Sequence, residues 1–393
     1  MSSEATPIEP GRPADFLRRA EWWVAVWAIV ISAAGYLFIR SATYGFDNES
    51  LATKQVLFLG AGAAVVLAVL VTPYLKLTRY VWWIYAFSIL FLVGLPFLGV
   101  RINGAQRWYR ILGFGLQPSE FAKVAVILGL AAWFRYRPAQ GLRNGLLVPL
   151  AIVSLPVLLI LKQPDLSSSL VFWPVMLAVC YAAGASIRTL VAFVVVGVLA
   201  LVLAYFTLMH DYQRARVDVW IDHFSWTKEQ VLTDPEVKRQ LRVHGYQPWQ
   251  ALIAIGSGGM FGQGYLQGTQ SRFDFLPYRS GDYVFAVVCE ELGMLGAIAI
   301  LLAVFALCLA ILGVAMRTRE PFGRLVAVGI AAWIGAQTIM HVAVCCWFVP
   351  ATGLPMPLVS HGGSSTLAAA IAIGLVLNIS ARRPWTLGST GFR

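Results

Sequence analysis

The sequence predicts an all-α polytopic membrane protein of about ten transmembrane helices, with one large extracytoplasmic loop between spans seven and eight. Three observations predict it. Fifty-nine percent of the 393 residues are apolar and only 12% are charged, against roughly 25% charged in soluble domains. Apolar runs of about 17–25 residues, the length that crosses a bilayer as a helix, recur along the chain. Arginine and lysine are unevenly divided between the segments that join those runs.

Residues 1–21 are polar and carry Pro7, Pro10 and Pro13, and read as a disordered cytoplasmic tail. The apolar run that follows is too long and too aromatic for a signal-peptide core and has no small-residue cleavage site, so it is expected to remain as the first span. Spans are expected near 22–39, 55–72, 80–99, 119–134, 144–161, 168–183, 187–208, 283–315, 323–348 and 364–381, within one membrane domain over 22–382. The fourth and sixth are short. A second cytoplasmic tail covers 383–393. With both termini cytoplasmic, the inner segments hold fifteen of the thirty Lys and Arg residues, whereas the short outer loops hold only Arg40, Lys54, Arg101, Arg107, Arg110 and Lys162. That asymmetry favours a multi-pass protein of the bacterial cytoplasmic (inner) membrane with N- and C-termini inside. The three arginines between spans three and four break the pattern and require another reason to be there.

The net charge of +11 is scattered over loops, with no basic run interleaved with aromatics, which argues against a nucleic-acid partner. The five cysteines all fall in apolar stretches without metal-ligand spacing or a disulfide framework, and read as small core residues.

The large loop, 209–283, is too long for a simple connection. Val217, Trp220, Ile221 and Phe224 recur with helical period, as in a helix lying flat at the membrane interface. Thr227 to His244 is charged and reads as solvated. The glycines of GSGGMFGQGYLQG do not match a dinucleotide-binding pattern and instead suit tight backbone packing.

Four stretches could carry chemistry. In the first, Arg107 and Arg110 precede a turn at Gly113 and Gly115, and Gln117-Pro118-Ser119-Glu120 opens a helix. Glu120 and Lys123, at i and i+3, can pair. This group reads either as interfacial anchoring or as an anion site, since arginine suits phosphate through bidentate contacts. In the second, Asp165 follows Pro164 between two spans, as a turn residue or a site residue. The third centres on Asp282, where a polar loop re-enters an apolar helix, with Arg279 before it and Glu290-Glu291 after it. Asp282 is either a helix N-cap or a functional acid, because a lone carboxylate at a bilayer edge is costly unless it faces a cavity or partner. The fourth, VPATGLPMPLVSHGGSST, holds Ser360, His361, Ser364 and Ser365 in a rigid loop. No second ligand is spaced to make His361 a metal site, no nucleophile elbow is present, and His341 reads as a packing residue. Asp282, Lys162–Asp165 and the Arg107 group all fall at one outer boundary, which favours a site built between helices.

Together these stretches, GAQRWYRILGFGLQPSEFAK, QPDLSSSLV, IAIGSGGMFGQGYLQGTQS with LPYRSGDYVFAVVCEELGMLG, and TGLPMPLVSHGGSS, resemble the SEDS family (shape, elongation, division and sporulation) over about residues 22–382. Gly268 to Ser271 and Pro350 to Gly353 look more like its RodA branch than its FtsW branch. The resemblance implies a peptidoglycan glycosyltransferase that polymerises lipid II outside the cytoplasmic membrane. It implies as partners lipid II, an undecaprenyl-linked glycan and a class B penicillin-binding protein. The family's essential aspartate falls on Asp282, its Glu and Lys on Glu120 and Lys123, its arginine on Arg107 and its Gln-Pro-Asp aspartate on Asp165. Ser364 and Ser365 stand in the Gly-Gly-Ser-Ser element and join Arg107, Arg110, Glu120, Lys123 and Asp165 as expected contacts to substrate and pyrophosphate.

The chain departs from the family at Tyr278, Ser280 and Gly281, where Glu, His and Thr are usual, at Ser167 in place of glycine, and at His361 in place of tyrosine. A divalent cation, Mg or Mn, would be held by Glu120 and Asp282. Two other classes compete: a lipid-precursor flippase or transporter, and an inactive scaffold for the penicillin-binding protein.

Overall fold

The computed structural model describes residues 20–45, 50–102, 105–111, 114–141, 143–163, 165–207, 209 and 211–382. Apart from residues 20 and 21, the expected tails lie outside the described residues, as do Gly113 and Pro164.

The described chain is helical apart from one small sheet. Its membrane helices are α1 (Trp22–Thr43), α2 (Ser50–Val71), α3 (Val81–Val93), α4 (Pro118–Phe134), α5 (Val148–Leu161), α6 (Leu166–Leu170), α7 (Phe172–Ala182) and α8 (Ile187–Thr207). The large loop then folds as α9 (Asp211–Asp222), α10 (Lys228–Thr233), α11 (Pro235–Gln240), α12 (Tyr246–Gly258) and α13 (Thr269–Arg272). Three long helices finish the bundle: α14 (Val284–Arg317), α15 (Pro321–Cys345) and α16 (Gly363–Ala381). Each expected span coincides with helix. Seven helical segments, α1, α2, Arg143–Leu161, α8, α14, α15 and α16, are long and apolar enough to cross a membrane. α3 and Leu166–Ala182 are shorter apolar helices. The chain is a multi-pass membrane protein.

Helix α16 is the axis of the bundle. It is apolar all round and 89% of its span is buried, the pattern of a helix surrounded by others. Ala368, Ala369, Ala370, Ala372 and Gly374 let its neighbours close in, and Ala370 sits opposite Gly62 of α2. Asn378 fixes the register. Its Nδ2 donates to Val69 and Thr72 carbonyls and its Oδ1 accepts the Tyr74 N–H at 3.3 Å, satisfying backbone groups where α2 ends. At the periphery, only 6% of the α8 span is buried.

The 34-residue α14 is broken. Gly293 lies in the left-handed region (φ 66°, ψ −167°) and interrupts the helical ladder. The glycine-rich stretch takes up the freed backbone groups: Gln263 and Gly264 donate to the carbonyls of Glu290 (2.9 Å) and Glu291 (3.0 Å). In return Met294 and Leu295 donate to Gly259 (2.9 Å) and Met260 (3.2 Å). Irregular backbone at this depth is tolerated because protein supplies the partners. The glycines are needed for contact: a Cβ at Gly258 would lie 1.9 Å from the Cys289 carbonyl oxygen, and one at Gly262 would lie 2.1 Å from that of Glu291.

Two expectations are corrected. The residues between spans three and four form an antiparallel sheet of β1 (Val100–Ile102), β2 (Ala105–Ile111) and β3 (Phe114–Leu116), with Arg110 opposite Gly115. The segment 227–244 is not simply solvated. α10 opens with a Thr227/Gln230 capping box, and Val237 and Leu241 are buried with Val219 and Trp347 in a separate apolar cluster. Of the expected interfacial face, Trp220 of α9 packs against that cluster, while Ile221, and Phe224 just beyond the helix, are exposed.

Gly262→Ala should lower stability by about 1–3 kcal/mol, because a methyl group is forced into fixed backbone at a left-handed position. Gly256→Ala, with nothing within 4 Å of its Cβ, should not. Thermal unfolding midpoints in detergent measure both.

Candidate active site

Asp282 ends the tight turn before α14. Within that turn Gly281 and Tyr283 donate to the Tyr278 carbonyl, and Tyr278 adopts φ 54°. The next loop clamps the turn through its backbone: His361 N–H donates to the Ser280 carbonyl at 2.8 Å, and Ser360 Oγ donates to the Gly281 carbonyl at 2.6 Å. Ser280 and Gly281 thus enter this clamp through their carbonyl groups. Asp282 does not cap α14, whose cap position is Tyr283. Its carboxylate stands against Gly353, where a Cβ would come within 2.9 Å of Oδ2. Gly353 is also left-handed (φ 66°).

Asp282 is half-buried and accepts no hydrogen bond from the described residues. Burial, reinforced by the charge of Asp165, pushes its carboxyl up to about 6, against the opposing pull of Arg107 and Arg216.

Asp165 is the opposite case. It caps α6 and is buried, as the turn reading expects. Its Oδ1 accepts Ser168 N–H (3.2 Å) and Ser167 Oγ–H (3.1 Å); its Oδ2 accepts Ser168 Oγ–H (2.9 Å) and Gln117 Nε2–H (3.3 Å). Ser167 also donates to the Thr352 carbonyl at 2.6 Å, joining this turn to the loop behind Asp282. Arg107, on β2, donates to the Gln163 carbonyl at 2.9 Å and sits 3.8 Å from Asp165.

The other expected residues divide. Glu120 and Lys123 pair at 2.7 Å, both buried. Lys123 also donates to Gln337 Oε1 at 2.8 Å and lies 5.5 Å from the Trp333 ring. Gln337 then donates to the Pro355 carbonyl at 2.7 Å. The expectation that Lys123 offers its charge to a substrate is corrected: its ammonium is already enclosed by protein partners. Arg110 is exposed, on the face of β2 opposite Arg107, as a strand's two-residue alternation dictates. Ser364 is a strut, accepting the Gln117 N–H at 2.8 Å and donating to the Gly115 carbonyl at 3.3 Å. Ser365 is buried in the first turn of α16.

Arg279 is committed to the Ala42 carbonyl and Asp274. Glu290 accepts four hydrogen bonds from Thr269, Gln270 and Ser271, and Glu291 accepts one from Ser41. His341 is buried and bonded to the Leu354 carbonyl at 2.6 Å, as a packing residue should be. His361 packs on Phe58, and burial together with the Lys54 charge lowers its imidazole below the ordinary range. All five cysteines are free thiols.

Sequence reasoning missed Arg216 of α9, which donates to the Ala351 carbonyl at 3.3 Å and acts electrostatically on Asp282. It also missed Gln337, and Gly353 as the wall behind the acid. No spacing rule marks these residues, since each comes from a different element.

Among the described residues Asp282 accepts no hydrogen bond, whereas Asp165 is held by donors and by Arg107, and both acids stand at one end of the helical bundle. The chain belongs to the FtsW/RodA/SpoVE cell cycle protein family, whose model matches residues 20–384. It is 35% identical over 301 residues to the peptidoglycan glycosyltransferase MrdB of Escherichia coli K12, covering 77% of this chain and 78% of that one. Among solved structures, a chain of a peptidoglycan synthase complex that coordinates polymerization and crosslinking matches with TM-score 0.76 and 26% identity, over 93% of this chain and 99% of that one. The rod shape determining protein RodA of Thermus thermophilus matches with TM-score 0.68 and 26% identity, over 93% and 97%.

Lys123→Met should destabilise the protein by about 3–5 kcal/mol, because it leaves Glu120 buried and unpaired. Adding Glu120→Gln should recover most of that loss. Unfolding midpoints of the single and double variants test the pair.

Proposed function

We propose that this chain is a peptidoglycan glycosyltransferase that polymerises lipid II into glycan strands at the outer face of the bacterial cytoplasmic membrane, with Asp282 as general base. The observation that carries this reading is the Asp282 carboxylate, which accepts no hydrogen bond from the described residues and which burial, reinforced by the charge of Asp165, raises to about 6. A general base works best with a pKa near the working pH. The family and the relative's named activity favour this reading over a flippase or an inactive scaffold.

In the reaction, the 4-hydroxyl oxygen of the acceptor sugar bonds to the anomeric carbon of the donor and its proton passes to Asp282. The bond from that carbon to the phosphate oxygen breaks, and its electron pair leaves with undecaprenyl pyrophosphate. Asp165 holds Arg107 at the site, and Arg107 faces the developing charge. Glu120 and Lys123 brace the floor through Gln337 and Pro355.

A divalent cation, Mg or Mn, finds little to hold it among the described residues: Glu120 Oε1 is held by Lys123, Asp165 spends both oxygens on Ser167, Ser168 and Gln117, and no group of three or more metal-ligating side chains forms, so no step is routed through a metal. The partner is a class B penicillin-binding protein that cross-links the product, in keeping with the complex containing the structural relative. Both termini face the cytoplasm, as the lysine and arginine asymmetry favours.

Asp282→Asn should abolish polymer formation from purified lipid II with the unfolding midpoint unchanged; undiminished polymer would remove Asp282 from the chemistry. The wild-type rate should also depend on pH. The base acts as carboxylate, so kcat/KM should fall as pH drops through about 6, the value to which Asp282 is raised.

A further inference from the structure

Arg216 stands apart among the cations around Asp282. Arg107 is bound to Gln163 and Asp165, and Lys123 is enclosed by Glu120, Gln337 and Trp333. Arg110 lies on the far face of its strand. Arg216 donates to the Ala351 carbonyl, and among the described residues it has no carboxylate within ion-pair distance. A guanidinium carries five N–H donors, so most of its hydrogen-bonding capacity is unspent.

Its position is fixed from a distance. Trp220 Nε1 donates to the Trp347 carbonyl at 3.2 Å, the His223 ring stacks on Trp347 at 4.1 Å, and Val219 is buried in the same cluster. Helix α9 therefore rides on the segment that runs from Trp347 to Gly353, and Gly353 backs Asp282. The large loop thus delivers one cation to the acid and holds it there.

We propose that Arg216 is a catalytic residue that receives the leaving diphosphate beside Asp282, the part expected of Lys123 and Arg110. This inference rests on the glycosyltransferase reading. As the carbon–oxygen bond breaks, negative charge grows on the diphosphate, and a fixed guanidinium binds that state more tightly than the intact donor. The fork geometry of arginine matches two phosphate oxygens at once. The same charge favours the carboxylate form of Asp282. The charged groups acting on Asp282 are Asp165 from the turn before α6, Arg107 from β2 and Arg216 from α9.

The test compares wild type, Arg216→Ala, Arg216→Lys and Asp282→Asn as full-length proteins in proteoliposomes supplied with lipid II, each with its unfolding midpoint. Arg216→Ala should lower kcat about 100-fold or more while KM stays within about threefold. Its acid limb in kcat/KM should move to higher pH, because Asp282 loses a stabilising cation; a purely structural role would leave that limb in place. Arg216→Lys should return the limb to its wild-type pH but leave kcat about tenfold low, since an ammonium lacks the fork. A kcat for Arg216→Ala within about threefold of wild type, or a fall in kcat with the acid limb unmoved, would overturn the assignment. If Arg216→Ala does not fold, Arg216→Lys decides: a wild-type kcat overturns the assignment and the tenfold loss supports it. Full activity in Asp282→Asn would instead bring down the underlying reading, whatever Arg216 does.

Discussion

The site depends on one close approach, that of the Asp282 carboxylate to the backbone of Gly353. Among the described residues nothing donates to this carboxylate, a costly arrangement for a half-buried charge at the end of a membrane bundle. Backbone contacts fix its place. The 352–361 loop donates to two carbonyls of the 278–283 turn, and Ser167 ties the same loop to the Asp165 turn. Three segments distant in sequence thereby hold two acids in place, one occupied by donors and the other open.

That contrast gives the chemistry its direction. Asp165 spends its lone pairs on Ser167, Ser168 and Gln117 and serves as a fixed negative charge that orients Arg107. Asp282 accepts no hydrogen bond from the described residues, and burial, reinforced by that same charge, raises its proton affinity. Neighbouring carboxylates in different surroundings take different roles. Beneath them, Glu120, Lys123 and Gln337 form a buried polar network that ends on the Pro355 carbonyl.

The helices are legible in the sequence because apolar length needs no partner to be recognised. Asp282, Asp165 and Arg107 are legible because charge at a membrane edge is costly and therefore informative. The failures follow from information that a single segment does not carry. Arg110 and Arg107 share one outer boundary ahead of the glycine turn, but on a strand residues three apart face opposite ways. Lys123 looked available because Gln337 and Trp333 come from a helix two hundred residues away. Arg216 was one arginine in a polar loop, and only the packing of α9 on Trp347 brings it to Asp282. The glycine-rich stretch was read correctly, since glycines without a phosphate-binding pattern leave close backbone contact as their use.

The interruption of α14 at Gly293 has a mechanical consequence. A continuous helix of 34 residues would act as a stiff rod, carrying any tilt or bending of its lower end straight to the acid at its head. Cut at Gly293 and spliced laterally to residues 259–264, its upper nine residues are steered by the outer loop instead. Whatever presses on that loop is coupled to the position of Asp282, and movement deeper in the bilayer is largely insulated from it.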